Sequence, residues 1–252
     1  MAEAKLYVIP GSHPAMTARL TLEHKRIPYK RVDLIPGVHQ AVVRANGFPA
    51  KTVPALKLEG RKLQGSREIA RALDEIRPEP PLFPSDPAQR ARVEEAERWG
   101  DESLQSAVRR AAWWALKRNR APLATYLEGA RLGIPVALLV KIAGPIVSFA
   151  ARYNGSTDAA VRSDLESLPR DLDKIDGWIS DGVLGGEQLN AADLQIATSV
   201  RLMMSVEDLQ PAIESRPAGE LALRAVSDYP GRTPPVFPRQ WLAGLTSVSK
   251  SA

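Results

Sequence analysis

The 252-residue chain contains no cysteine, which removes thiolate nucleophiles, disulfides, cysteine-zinc sites and any CxxC redox couple together. Any thiol chemistry must borrow its thiol from a ligand. The three histidines, His13, His24 and His39, stand at spacings of eleven and fifteen, which fits no compact metal-ligand pattern, so no metal is expected. Trp113 and Trp114 sit close to Arg109 and Arg110, an aromatic pair beside two cations. Lys117, Arg118 and Arg120 extend a basic stretch with no acid between Glu102 and Glu128. Such a stretch can meet an anionic substrate or lipid head groups, or simply be a solvated helix end. Neighbouring helical residues face different directions, so one of the two tryptophans belongs in a core.

The elements that position these residues can be read from periodicity. KLYVI, bounded by Pro10-Gly11, is a short buried strand and turn, and Ala15, Ala18 and Leu22 recur at helical spacing with Arg19, Glu23 and Lys25 on other faces. Pro28 ends that helix and YKRVDLI forms a second strand, a βαβ unit with a parallel pair. A weak helix over His39 to Ala45 precedes TVPALKL and KLQ, a hairpin across Glu59-Gly60-Arg61. SREIARALDEI then makes a helix with Ser66 suited to its N-cap. The connector RPEPPLFPSDP holds five prolines in eleven residues and marks a boundary near residue 80.

Everything beyond reads helical. Asp86-Pro87 is a cap and first-turn pair, and Val93, Ala96, Trp99, Leu104, Val108 and Ala111 give an apolar stripe. Val161 to Ile179 carries another, with Pro169 as a kink or break. Asn190 three residues before Asp193 has capping-box spacing, with Leu189 and Leu194 as a hydrophobic staple. The division expected is residues 1–78, a linker at 79–86, an all-helical unit at 87–228, and a Pro-rich loop with a mobile tail at 229–252.

The formal charge is +5 and uneven: residues 1–80 hold fourteen Lys and Arg against eight Asp and Glu, and residues 81–252 hold twenty against twenty-one. This modest field suits a small anion and lacks the dense basic runs that nucleic acid needs. The start MAEAKLYVIPGS lacks the features of a secretory signal, so a cytoplasmic location is expected. Ile134 to Ala150 is the most apolar stretch, but Lys141 and Gly144-Pro145 interrupt it. A span needs about 20 mainly apolar residues, so a buried helix broken at Gly-Pro is expected and membrane association is not.

Four features in order, βαβ–ββα, the Pro in TVPAL, GSREI and NAADLQIA, together resemble the glutathione transferase superfamily over about residues 5–226. The resemblance implies an α/β thioredoxin-like N-terminal domain joined to an all-α helical bundle. It places Ser12 where serine-type members keep the hydroxyl that meets the sulfur of glutathione, and a helix N-cap is the other reading of that serine. Tyr7 is an alternative donor by type, though its place in the strand suits a core role. His13 stands where many relatives have proline; the positive helix end favours its neutral form beside the ligand, and a surface histidine is the plainer expectation.

Val53-Pro54 matches the family's cis-proline loop, whose backbone meets the cysteinyl part of the ligand, and Lys51 is placed near the glycyl carboxylate. Ser66 matches the serine that receives the γ-glutamyl carboxylate at a helix start, an anion site by its unpaired N–H groups. Relatives usually have an acid or Gln directly before it. Here that place is Gly65, and Glu68 one turn in is the substitute acid. Arg109 and Trp113 are expected in the second-substrate pocket, while Asn190 and Asp193 match a buried folding box.

The function implied is a cytoplasmic, homodimeric, detoxifying transferase that adds the sulfur of glutathione, or a related thiol, to a small hydrophobic electrophile. Lack of cysteine argues against the thiol-reductase branches. Conjugation, peroxide reduction by bound thiol and ether cleavage all fit. The alternative is a non-catalytic binding or regulatory module on the same fold, favoured by Gly65 and His13.

Overall fold

The computed structural model describes residues 4–246. Its first part is a four-stranded sheet, β1 (Ala4–Val8), β2 (Tyr29–Asp33), β3 (Ala55–Leu58) and β4 (Arg61–Gln64), in spatial order β2-β1-β3-β4. β1 runs parallel to β2 and antiparallel to β3, which is antiparallel to β4. The crossover from β1 to β2 is α1 (His13–His24), and α2 (His39–Ala45) and α3 (Ser66–Ile76) complete the unit.

Strand alternation sorts the side chains to two faces. Leu6, Val8, Leu56 and Leu63 pack with Ala18 and Leu22 of α1 and Ile69 and Leu73 of α3. Tyr7 and Ala55 pack on the opposite face with Leu34, Phe48 and Val43 of α2. Each fully buried aliphatic here contributes about 1.5–3 kcal/mol.

The hairpin loop is shorter than expected: Arg61 is already in β4, leaving Glu59 (φ +48°) and Gly60 (φ +80°) as a two-residue turn with both φ positive. α1 stops at His24, four residues ahead of Pro28, with Arg26 left-handed at φ +52°. Lys25 is not on an outer face but fully buried. Its Nζ meets Asp74 Oδ1 at 2.5 Å and donates to the carbonyls of Pro78 (3.1 Å) and Pro80 (2.6 Å), which pins the Pro-rich connector to the sheet unit.

The second part is helical: α4 (Pro87–Trp99), a π-helical turn (Gly100–Leu104), α5 (Gln105–Arg118), α6 (Leu123–Tyr126), α7 (Val136–Ile142), α8 (Gly144–Tyr153), α9 (Asp158–Ser180), α10 (Ala191–Met204), α11 (Gln210–Glu214), α12 (Pro217–Ala225) and α13 (Ala243–Thr246). Asp86 caps α4 by accepting from Gln89 N–H at 2.8 Å. Pro169 does not break α9, which runs through it. The Val93-to-Ala111 stripe is interrupted by the π turn, which absorbs the five-residue step from Trp99 to Leu104.

Ile134 to Ala150 is not a buried helix. α7 and α8 meet at 63°, with Leu138, Ile142 and Phe149 exposed, and among the described residues no single helix is long and apolar enough to cross a membrane. The Pro-rich loop from Tyr229 buries Tyr229 and Phe237, while the tail beyond residue 246 lies outside the described residues.

α10 holds the two parts together. All its residues are buried except Arg201, and its first turn carries the reciprocal cap in which Asn190 Oδ1 accepts from Asp193 N–H (3.1 Å) and Asp193 Oδ2 from Asn190 N–H (2.8 Å). Thr198 meets Thr17 of α1 at 2.8 Å between hydroxyls, and Gln195 meets Ser66 of α3.

Candidate functional site

A cleft of about 640 Å³ opens between the sheet unit and the helices. One wall is formed by the β1–α1 turn, the loop before β3 and the start of α3. The other comes from the π turn, α5, α6 and α8. A second groove of about 820 Å³ lies over Lys117, Arg118 and Arg152; it takes in part of the basic stretch but neither Ser12, Ser66, Val53 nor Arg109. Its Arg118 is already paired to Asp158 at 2.7 Å and stacked over Trp114.

Ser12 stands at the N-cap of α1 in extended backbone (φ −77°, ψ 119°), and its hydroxyl makes no capping bond. Its N–H donates to Ile9 O (3.1 Å) and its carbonyl accepts from Met16 N–H (2.9 Å), so the backbone is fixed and the side chain is free to meet a ligand in the cleft it lines. The approach requires glycine before it. Gly11 has φ +73°, and a Cβ there would come within 3.1 Å of Tyr126. Tyr229 Oη donates to Gly11 O at 2.9 Å, tying the turn to the C-terminal loop.

The loop before β3 contains a cis Val53-Pro54 bond. Gln64 clamps it, accepting from Ala50 N–H (2.7 Å) and donating to Ala50 O (3.1 Å) and Thr52 O (2.9 Å). Gly65 N–H donates to Pro54 O at 2.9 Å, which sets the loop against the start of α3. The backbone N–H and carbonyl of Val53 have no partner among the described residues, and Lys51, exposed, lines the same wall.

Ser66 is not the N-cap of α3. Gly65 takes that place at φ +91°, a conformation a side chain would strain, and Ser66 is the first helical residue. The hydroxyl of Ser66, buried, donates to Gln195 Oε1 at 2.8 Å, while its N–H is one of the helix's unpaired donors at the cleft. Glu68 does not reach the cleft: it is exposed, on a separate groove with Arg61 and Arg71.

The expectation of a surface His13 is overturned. It is 2% exposed, and neither ring nitrogen has a hydrogen-bond partner among the described residues. Burial, reinforced by the Arg109 charge, pushes its pKa well below the ordinary histidine value, so the ring is neutral. His13 is the first residue of α1, whose opening turn, His13 through Met16, is buried throughout.

From the other wall come Arg109 and Trp113, both lining the cleft. Arg110 faces away, gripping Asp164 through Nε (2.7 Å) and Nη2 (2.6 Å). Trp114 is the core member of its pair, stacked on Phe237 and donating Nε1–H to Asp158 at 3.0 Å. Phe149 and Tyr153 of α8 form the rim.

Asp101 and Gln105, both lining the cleft, were missed by sequence reasoning. Asp101, in the π turn, lines it and accepts through Oδ1 from Gln105 Nε2 (3.2 Å) and Gln195 Nε2 (3.4 Å). Burial raises its pKa, against the pull of Arg67 and Arg109. A chain of contacts thus runs from Arg109 through Gln105, Asp101 and Gln195 to Ser66. The five-residue step in the apolar stripe was the one available signal that this stretch departs from a plain helix and turns Asp101 inward. No group of His, Asp or Glu suited to holding a metal occurs among the described residues.

Residues 6–81 match the family model for the glutathione S-transferase N-terminal domain. A probable maleylacetoacetate isomerase 1 of Drosophila melanogaster is 45% identical over 98 residues, 36% of this chain and 39% of that protein. The probable glutathione S-transferase GSTU6 of Oryza sativa subsp. japonica is 33% identical over 94 residues, 35% and 40% respectively. The chain therefore matches these curated relatives over about two fifths of their length. Poplar glutathione transferase F1 superposes with a TM-score of 0.61 over 100% of both chains at 15% identity, which shows the fold.

Proposed function

We propose that this chain, whose residues 6–81 match the glutathione S-transferase N-terminal domain model and whose fold is shared with poplar glutathione transferase F1, binds glutathione, or a close relative of that thiol, and transfers the sulfur to an electrophile. The observation that carries the reading is that Ser12 lines one cleft, its hydroxyl without a capping bond, together with the unpartnered backbone of Val53 and the free N–H groups that open α3.

In this reading the γ-glutamyl carboxylate sits on the N–H groups at Ser66, where the helix end favours an anion. Asp101 supplies the acid for the glutamyl ammonium, the role given by resemblance to Glu68. Val53 pairs with the cysteinyl backbone and Lys51 with the glycyl carboxylate. A free thiol has a pKa of about 8.5 and is mostly protonated at neutral pH. The Ser12 hydroxyl and the start of α1 favour its thiolate. The thiolate lone pair forms the new S–C bond on the acceptor, and the electron pair displaced leaves with the departing group or moves into a conjugated acceptor that water then protonates. Trp113 and the α8 rim hold the apolar part of that acceptor.

Titration calorimetry with glutathione on wild type and Asp101→Asn tests binding, and a conjugation assay with and without the Ser12 hydroxyl tests chemistry. Binding that survives with no conjugation of any acceptor supports the second reading, a binding module. The commitment of the Ser66 hydroxyl to Gln195 favours that alternative. The homodimer and cytoplasmic location typical of the family belong to this proposal and are checked by light scattering and by fractionation.

A further inference from the structure

Several part-buried arginines of this chain are paired to carboxylates, while Arg201 instead donates to the carbonyl of Val226 at 2.8 Å. Arg67 and Arg71 share Glu97, Arg110 grips Asp164, and Arg216 takes Asp173 and Asp176. Arg109 differs. It is partly buried in the cleft wall and, among the described residues, forms no ion pair and makes one hydrogen bond, to the amide oxygen of Gln105. Asp101 acts on it only through space, its carboxylate being held by the amide groups of Gln105 and Gln195.

His13 adds a second unsatisfied group in the same cleft, with both ring nitrogens lacking a partner among the described residues. Burial of a cation without a counter-ion and of a ring without hydrogen bonds is costly, and a ligand that supplies both acceptor and charge removes that cost. The imidazole is neutral, so it does not compete with the guanidinium for charge, and it directly follows Ser12.

We propose that Arg109, with His13 beside it, receives an anionic group on the co-substrate, so that the cleft selects carboxylate-bearing acceptors over neutral ones of the same shape. A planar guanidinium with free N–H donors suits a carboxylate in bidentate contact. Trp113 offers an apolar face on the same helix for the rest of the molecule. The inference rests on the proposed thiol transfer for the identity of the reaction, but the anion pocket stands or falls separately.

The test uses two inert ligands of one shape, 3-nitrobenzoate and 3-nitrobenzamide, titrated into wild type, Arg109→Met and Arg109→Lys, with glutathione titrated in parallel and thermal melting as the fold control. We expect wild type to hold the benzoate about tenfold more tightly than the benzamide, as charge-assisted pairing implies. Arg109→Met should abolish that preference and leave benzamide and glutathione affinity within about twofold, with Arg109→Lys intermediate.

Equal or undetectable binding of the two ligands by wild type overturns the proposal. So does loss of both ligands in a folded Arg109→Met protein, or loss of glutathione affinity there, which would assign Arg109 to the thiol. A benzoate preference without glutathione binding keeps the anion pocket and refutes the thiol reading. If conjugation is established, 4-chloro-3-nitrobenzoate against its amide gives the same comparison in kcat/KM.

Discussion

Replacing Lys25 by methionine keeps the unbranched stem of the side chain and removes its ammonium, and the structure fixes what that uncovers. The ammonium is fully buried and satisfies three acceptors, Asp74 Oδ1, Pro78 O and Pro80 O. Asp74 retains the Leu82 N–H (2.9 Å), but its charge loses its counter-ion with only 18% of the side chain exposed. The two carbonyls of the connector lose this donor. Breaking one side of a buried pair costs about 3–5 kcal/mol, and for a chain of this size each kcal/mol lowers Tm by about 2–4 °C, giving a fall of about 10 °C. Urea unfolding of Lys25→Met, Asp74→Asn and the double variant measures the loss and its coupling. A loss below about 1 kcal/mol for Lys25→Met at unchanged slope would show that the pair contributes nothing net and that the connector is held by other contacts.

The folding box gives a second expectation. Asp193→Ala strands the N–H groups of Gly185 (2.7 Å) and Asn190 (2.8 Å) and should cost about 3 kcal/mol in chemical unfolding, against about 1 kcal/mol for Asn190→Ala. A third concerns pH. The His13 pKa is lowered in the fold, so between about pH 6.5 and its folded value the unfolded chain binds the extra proton, and stability falls as pH falls. From pH 7 to pH 5.5 this residue should remove about 1 kcal/mol, and His13→Phe should flatten that part of the slope in urea melts; an unchanged slope would assign it to other groups. His24 and His39 are shifted in the same direction and supply a remainder. Finally, Asp101→Asn should weaken glutathione about tenfold by calorimetry if that acid receives the glutamyl ammonium, whereas Glu68→Gln should change nothing.

What the sequence disclosed was local order. Strand alternation in KLYVI, the helical spacing of SREIARALDEI and the cap spacing of Asn190 and Asp193 each report on neighbours a few residues apart, and each element formed where that pattern lies. What it hid was direction in space. Lys25 and His13 carry polar groups that propensity assigns to water, yet the connector carbonyls and the opposite wall enclose them, and only tertiary contacts decide that. The exposure of Phe149 and Leu138 is hidden for the same reason, since an apolar run says nothing about whether another helix arrives to cover it. Asp101 became a cleft residue because the π turn rotates the helix that carries it.

The burial of α10 has an evolutionary consequence. Both walls of the cleft lean on this one helix, through Thr17 and Ser66 on one side and through Asp101 on the other. Drift along Ala191 to Met204 therefore disturbs folding and pocket shape together, and selection sees nearly every change there. The rim on α8, where Phe149 and Tyr153 stand exposed, carries little of the core's weight. Substitutions in that stretch can reshape what enters the cleft while stability is conserved, so the chain keeps its innovation and its architecture in separate segments.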